Sequence, residues 1–478
     1  MKANNTISDL KKKKIHFIGI GGIGMSALAR YCFNLGCFVS GSDKEDSSLI
    51  KELEQEKIKN IWTPHNRERL ENIDPDIVVF STAVTQTNEE LQWAKEKKKE
   101  VIHRAELLEV ITSPKILIAV SGTHGKTTST AMIYEALSNA NLSPSVILGG
   151  ILQRKNTNSI YGEGNYFIAE ADESDKSLLK GNPDICIITN IEPDHLENYS
   201  GGLNEIKECF IKFAKKGLSK SGLVACADDL LTETIIRKNF NVNDPKLIFY
   251  GIKSGNCNLI AKAGKDKNHW DIYFKDNFLT SFRPNNPGQH TVLNSLAAIG
   301  TSILIKSDLK KTIEALENYN GVKRRFQFLI KLNDLSIVDD YAHHPTEIKA
   351  TYEMAKSYNP KNLLMIFQPH QPRRLKDLWN EFIKAFPEID LNTTVLITDT
   401  YIARGSEIEG ISSSKLVKEI NRPNINYKSG NIEELTKYLK DSLKKTDFIL
   451  IMGAGNITNL GKGLVNFYSG LASIAGNN

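Results

Sequence analysis

The sequence predicts an α/β fold in three consecutive domains: Rossmann-like N-terminal (residues 1–113), P-loop central of ATPase type (114–320) and Rossmann-like C-terminal (321–478). Three observations lead there. Apolar runs of strand length recur throughout, each followed by a Gly-rich or acidic turn and a segment with helical spacing, the βαβ pattern of open parallel sheets. Two of the turns are glycine loops between a strand and a helix, one near residue 20 and one near residue 123. The 478 residues amount to about three ordinary domains.

In the first block, IHFIGI reads as a strand, Met25–Leu35 as a helix, CFVSGSD as a second strand, the segment after Ser47 as a helix and DIVVFST as a further strand. The preceding MKANNTISDLKKKK is basic and leads into a short strand instead of a continuous apolar signal region, so it reads as a solvated tail on a cytosolic protein. Ser113-Pro114 marks a seam, because proline disfavours helix in the residue before it and the strand KILIAVSG begins at once. The second block holds the strands YFIAEAD and DICIITNIE, a less periodic stretch near Asn239 to Phe282, and a helix around Leu293–Ile305. The third, from Gly321, holds SIVDDY, NLLMIF, TTVLIT and FILIMGAGN, each followed by a loop and a helix-like segment.

Composition excludes several classes. With 40% hydrophobic and 24% charged residues the chain is neither disordered nor fibrous. The longest apolar runs, such as Ile116–Val120 and Phe448–Met452, are strand length and too short to span a bilayer. Six cysteines without a CxxC pair indicate neither a zinc site nor a disulfide framework. A net charge of +5 suits small anionic substrates and is thin for nucleic-acid binding.

The strongest chemical signal is Gly122-Thr123-His124-Gly125-Lys126-Thr127-Thr128, between a buried-type strand and TTSTAMIYEALSN. Such glycines turn backbone N–H groups onto phosphate oxygens, the helix N-terminus adds partial positive charge, Lys126 reaches the β and γ phosphates and Thr127 offers a hydroxyl to Mg²⁺. It is a shortened variant of the GxxxxGK[ST] loop, with Ser121 four residues before Gly125. Two acidic strand ends follow in the same block, Glu170-Ala171-Asp172-Glu173 and Glu192-Pro193-Asp194-His195; carboxylates on the carboxyl edge beside a phosphate loop suit Mg²⁺.

In the first block Gly19, Gly21, Gly22 and Gly24 lie between strand and helix, and Asp43 comes 19 residues after Gly24. That matches the dinucleotide fingerprint, with pyrophosphate over a helix N-terminus and an acid on a ribose hydroxyl. NAD(P) and a nucleotide sugar present the same pyrophosphate to the same amides. Further on, Lys323-Arg324-Arg325 reads as a solvated basic run or a phosphate clamp. The paired histidines of DDYAHHP lack further ligands at metal spacing and read as substrate contacts or loop structure, and Gly453-Ala454-Gly455-Asn456 as a structural turn.

Taken in order, GIGGIGM, GTHGKTT, EADESD, TNIEPDH, GQHTVLN, RRFQ, DDYAHHP and FQPH resemble the Mur ligase family across nearly the whole chain, in the branch that adds the first amino acid of the peptidoglycan stem peptide. The resemblance implies ATP and Mg²⁺ as cofactors, UDP-N-acetylmuramate and L-alanine as substrates, neither nucleic acid nor membrane as partner, and a monomer or homodimer. It implies that Gly19, Gly21, Gly22, Gly24, Met25, Ser26 and Asp43 bind the UDP-sugar. Gly122 to Thr128, Asn294 (adenine), Arg325 (phosphates) and Asp340 (ribose) would bind ATP; Thr127, Glu170 and His195 would hold Mg²⁺, with Glu173 the alternative to Glu170. Lys126, His195, Arg325 and His344 would be catalytic, and His344 and Arg374 would meet the amino acid. Closure of the third domain over the second is expected to exclude water. Two departures stand out: Thr291 where the family often has Asn, and Gln371 where Arg is usual. A murein tripeptide ligase on the same sugar nucleotide and, from another class, an NAD-dependent oxidoreductase fused to a P-loop module are the alternatives.

Overall fold

A computed structural model describes residues 7–173, 176–193, 198–266, 268–332, 335–403, 406–442 and 446–475. The chain divides into two compact units, Met1–Asn320 and Gly321–Asn478.

The first unit carries two sheets. The five-stranded one runs in the order Asn60–Trp62, Phe38–Ser42, Lys14–Ile18, Ile77–Phe80, Glu100–His103, all parallel. Its first strand is central, and the chain leaves it to opposite sides, which opens a crevice at its carboxyl end. The ten-stranded sheet has Ile116–Ser121 between Ile185–Ile188 and Tyr166–Glu170, all parallel, and so opens a second crevice of the same kind. In both sheets this strand is buried after its first residue; Ile116–Ser121 is apolar up to Ser121, and Lys14–Ile18 carries the buried His16 among its apolar residues.

The less periodic stretch resolves into the parallel strand Leu247–Gly251 and an antiparallel meander, Leu259–Ala263, Trp270–Phe274 and Asn277–Phe282. Most residues of this edge meander are half-buried or exposed, so its hydrophobic signal is diluted. At the opposite edge, Ser145–Leu152 and Thr157–Ile160 form a hairpin against which the helix Ile23–Leu35 packs. This contact crosses the Ser113-Pro114 seam. Leu28, Tyr31 and Leu35 share one core with Leu117, Ile147 and Phe167, and the buried Arg30 donates to Asn158 Oδ1 at 2.5 Å.

The basic tail needs one correction. Residues Ile7–Leu10 form a short helix and Leu10 is fully buried in the first core, because the apolar Ile7 and Leu10 recur at i, i+3 on one face. All six cysteines are free thiols and five are buried.

The second unit holds one six-stranded sheet, ordered Gln327–Lys331, Ser336–Asp340, Phe448–Met452, Leu363–Phe367, Thr394–Thr398, Ile425–Lys428, parallel except for its first strand. Separate apolar clusters cover its two faces.

Candidate functional site

The first glycine loop leaves the strand Lys14–Ile18 and enters the helix Ile23–Leu35, whose cap residue Gly22 offers no side-chain acceptor, so the first helical N–H groups have no side-chain cap. Ser42 O accepts the Gly19 and Ile20 N–H groups at 2.7 and 3.0 Å. Asp43 Oδ2 accepts the Gly21 N–H at 2.8 Å, so the acid read as a ribose contact also braces the loop. Gly21 is there for want of space: a Cβ would lie 2.9 Å from that carboxylate oxygen. Met25 and Ser26 are buried; Met25 belongs to the core and Ser26 Oγ accepts from Asn158 Nδ2 at 3.0 Å. The Ser26 N–H is bonded to Gly22 O at 2.8 Å. A guanidinium absent from the sequence reading stands beside this loop, since a Cβ at Gly24 would lie 3.1 Å from Arg104 Nη1.

The second loop follows the strand Ile116–Ser121 and ends at Gly125, which caps the helix Lys126–Asn139 without a side-chain acceptor. Gly122 has φ +136°, and a Cβ there would lie 2.1 Å from Thr189 Oγ1, so only glycine fits. Thr189 and Asn190, just past the neighbouring strand, hold the loop's shape. Thr189 Oγ1 and Asn190 Nδ2 donate to His124 O at 2.6 and 2.9 Å, and Asn190 Oδ1 accepts the His124 N–H at 2.8 Å.

Lys126 lies folded back on the loop. Its ammonium donates to Gly122 O at 2.6 Å and to both oxygens of the buried Glu173 at 2.7 and 2.9 Å. Burial works against its charge, but the carboxylates of Glu173, Asp172 and Glu170 outweigh burial and raise its pKa above the ordinary lysine value. Burial in turn pushes the Glu173 carboxyl up against the pull of Lys126. The two-oxygen contact keeps the proton on the lysine. Thr127 Oγ1 donates to Glu170 Oε2 at 3.0 Å, and Gly149 N–H donates to Oε1 at 2.6 Å. A hydroxyl beside a carboxylate at the carboxyl edge is a hard-oxygen pair that fits Mg²⁺. Asn294 sits at the loop, with Oδ1 accepting from Ser129 Oγ at 3.0 Å and 2.8 Å from where a Gly125 Cβ would lie. Thr123 Oγ1 accepts the Glu192 N–H at 2.8 Å, and Thr128 opens the helix. His195 lies outside the described residues, and Thr291 is buried in the helix Gln289–Leu304.

In the second unit, Asp340 is buried at the end of Ser336–Asp340 and accepts the N–H groups of Phe326 and Ala342 at 2.6 and 2.7 Å. Burial, against the pull of Arg325, raises its carboxyl to about 6. Arg324 and Arg325 lie over the Tyr341 ring, and Arg325 Nη1 is 3.8 Å from Glu347. His344 caps the helix Pro345–Ser357: Nδ1 accepts the Thr346 N–H at 3.3 Å, and Glu347 closes the capping box. With its acceptor nitrogen engaged, the neutral ring carries its proton on Nε2, so it serves as a proton acceptor only by giving up the cap. Arg374 Nη1 is 3.5 Å from His370 Nδ1. His370 stacks on Tyr401 at 5.7 Å, and its ring lies 6.0 Å from that of His343. Tyr401 joins this group through a bridge to His370, a tertiary contact without a local signature. Gln371 starts the helix Pro372–Asp377 and its N–H donates to Tyr401 O at 2.8 Å.

Family models of the Mur ligases match the chain in three consecutive stretches. The Mur ligase family catalytic domain matches residues 14–115, the Mur ligase middle domain 120–302 and the model described as Mur ligase, glutamate ligase domain 324–455. A UDP-N-acetylmuramate--L-alanine ligase from Dictyoglomus turgidum is 39% identical over 463 residues, 95% of this chain and 97% of that protein. The chain belongs to the Mur ligase family. A second relative of the same description, from Clostridium tetani, is 39% identical over 94% of this chain and 97% of its own length. Among solved Mur ligases, the UDP-N-acetylmuramate-alanine ligase of Thermotoga maritima superposes with a TM-score of 0.80 at 29% identity, covering 96% of this chain and 99% of that one. A murein peptide ligase from Psychrobacter arcticus reaches 0.69 at 23% identity, covering 95% and 99%, a likeness of fold.

Proposed function

We propose that the protein joins L-alanine to the lactyl carboxylate of UDP-N-acetylmuramate, converting ATP to ADP and phosphate, in the synthesis of peptidoglycan precursors. The observation that carries the reading is the Gly122–Thr128 loop with Lys126 at its base and the Thr127–Glu170 pair beside it, in a chain similar over about 95% of its length to ligases of that description.

A carboxylate is a poor electrophile. Its oxygen attacks the γ-phosphorus of ATP, the bond to the β-phosphate oxygen breaks, and an acyl phosphate and ADP result. The alanine amine, in its neutral form, then attacks the acyl carbon, phosphate leaves and the nitrogen loses a proton. Lys126 exchanges its contact with Glu173 for the charge that grows on the γ-phosphoryl oxygens. The N–H groups at the uncapped start of the helix Lys126–Asn139 hold the remaining phosphates, while those of Thr123 and His124 stay bonded to Asn190 and keep the loop in shape. Bound Mg²⁺ supplies charge neutralisation at the phosphates, and Thr127 and Glu170, with His195 by resemblance, are the residues proposed to hold it. Gly19, Gly21, Gly22, Gly24, Met25, Ser26 and Asp43 are proposed for the UDP-sugar. Asn294, Arg325 and Asp340 are proposed for ATP, and Arg374 for the amino acid. The reaction draws on cytoplasmic ATP, and a cytoplasmic location is part of the proposal; among the described residues no helix is long and apolar enough to cross a membrane.

Phosphate release with ATP, Mg²⁺, UDP-N-acetylmuramate and each of L-alanine, serine, glycine and a murein tripeptide tests the reading. L-alanine should give the highest kcat/KM. Turnover with the tripeptide alone would transfer the protein to the recycling branch, and no ATP consumption with any of them would end the proposal.

A further inference from the structure

Glu90, which the mechanism above does not use, is a fully buried carboxylate in the first turn of the helix Glu89–Glu96. Four donors from three separate segments converge on it, and His65 stands beside them. Oε1 accepts the Trp62 indole N–H at 2.9 Å and the Asn66 backbone N–H at 2.8 Å. Oε2 accepts the Ser42 hydroxyl and faces His16 Nε2 at 3.3 Å and His65 Nδ1 at 3.5 Å. Burial alone would raise this carboxyl, but the hydrogen bonds from His16, His65 and Ser42 hold it well below the ordinary carboxylate range. A well-packed apolar side chain often serves stability as well as a buried charge does, so a carboxylate with every lone pair engaged calls for another account.

Its partners supply one. Ser42 is the residue whose carbonyl accepts the Gly19 and Ile20 N–H groups, and it immediately precedes Asp43. Trp62 O accepts the Asp43 N–H at 3.1 Å. Asp43 in turn accepts the Gly21 N–H. The Ser42 side chain and the Trp62 side chain, the two handles on this arrangement, are both held by Glu90. His65, half-buried, is oriented by the same centre, with Nδ1 2.8 Å from Ser42 Oγ. Since that hydroxyl gives its proton to Glu90, Nδ1 must be the donor, and Nε2 of the neutral ring is left as an acceptor.

We propose that Glu90 is a positioning residue for the sugar-nucleotide loop: its carboxylate clamps Ser42 and Trp62, and through them Asp43 and the backbone of Gly19–Gly21, in the arrangement that receives a nucleoside diphosphate. The proposal rests on the reading of that loop as the UDP-sugar site. It acts on binding of one substrate and leaves the phosphoryl-transfer loop untouched.

The test uses the full chain with Glu90→Gln and, independently, Ser42→Ala, each checked for folding by circular dichroism and thermal melting. Kd for UDP-N-acetylmuramate is measured by calorimetry without ATP, and kcat and KM for all three substrates by phosphate release. In both variants Kd and KM for the sugar nucleotide should rise about tenfold, since misplacing a binding group by an ångström or less is costly, while kcat and the KM for ATP and L-alanine change less than about twofold. Should Glu90→Gln not fold, Ser42→Ala combined with Trp62→Phe decides, because the pair removes both side-chain links between Glu90 and the loop while keeping the carboxylate. Unchanged sugar-nucleotide affinity in a folded variant, or all three KM values rising together, overturns the proposal. Wild type that fails to bind UDP-N-acetylmuramate overturns instead the functional reading beneath it.

Discussion

The two glycine loops of the first unit are built alike and equipped differently. Each leaves a strand flanked on both sides by parallel neighbours, at the point where connections diverge, and each enters a helix whose glycine cap has no side-chain acceptor. Both therefore present backbone N–H groups to an anion. Around Gly19–Gly24 the close brace is an acid, Asp43, backed by the buried Glu90. Around Gly122–Gly125 it is a cation, Lys126, held against Glu173 with Glu170 and Thr127 alongside. On the proposed reading, the shared part suits a diphosphate that stays intact. A phosphate that is to be transferred needs in addition a positive charge at the reacting group and oxygen ligands for a metal ion, the roles proposed above for Lys126, Thr127 and Glu170 at the second loop.

The largest expected effect follows from that difference. Lys126→Ala should lower kcat for phosphate release by about 10² to 10³ or more, as loss of a preorganised charge does. Near-normal turnover would remove the lysine as what separates the loops. The same change strands Glu173 in a buried setting, so chemical denaturation should show a loss of about 3–5 kcal/mol, partly recovered when Glu173→Gln is added.

Next in size, Gly122→Ala should cost about 1–3 kcal/mol from its backbone conformation alone, besides the clash with Thr189, and abolish ATP binding measured by calorimetry. Gly21→Ala, where φ is ordinary and the close approach of the Asp43, Ser47 and Ile50 side chains objects, should raise KM for the sugar nucleotide about tenfold and leave KM for ATP unchanged. An equal effect of both substitutions on both substrates would show that the loops are not independent.

The smallest expected effect is in the pH dependence of stability. Glu90 has its carboxyl held below the usual value of 4.5, so its contribution is present above that pH and is lost as the pH falls below it. Glu173 has its carboxyl raised, so its contribution has the opposite sign and declines as the pH rises above 4.5. Urea midpoints between pH 6 and pH 3 should fall on acidification in the wild type and fall less in Glu90→Gln. Parallel curves would contradict the strong engagement of Glu90.

Much of this was legible in the chain because it is local. The strand, loop and helix around Gly122 lie within about twenty residues, and the glycine spacing with Lys126 and Thr127 is a contiguous code for phosphate contact. The hairpin Ser145–Ile160 was not legible, since it packs against the helix Ile23–Leu35, more than a hundred residues earlier. The role of His344 as a helix cap is legible in His-Pro-x-Glu, again a local pattern.

The sequence by itself determined the fold class, the order of the three blocks and the residues of both glycine loops, because hydrophobic periodicity and backbone permissiveness act over neighbouring residues. Only the tertiary structure decided that Lys126 rests on Glu173, that Asn158 and Arg30 join the first two sheets, and that Glu90 stands behind Asp43. Those pairings join groups 47, 128 and 28 residues apart in the cases of Lys126–Glu173, Arg30–Asn158 and Trp62–Glu90. A buried charge must find its partner wherever the chain brings one within reach, and that meeting is set by packing of the sheets, which no local pattern encodes.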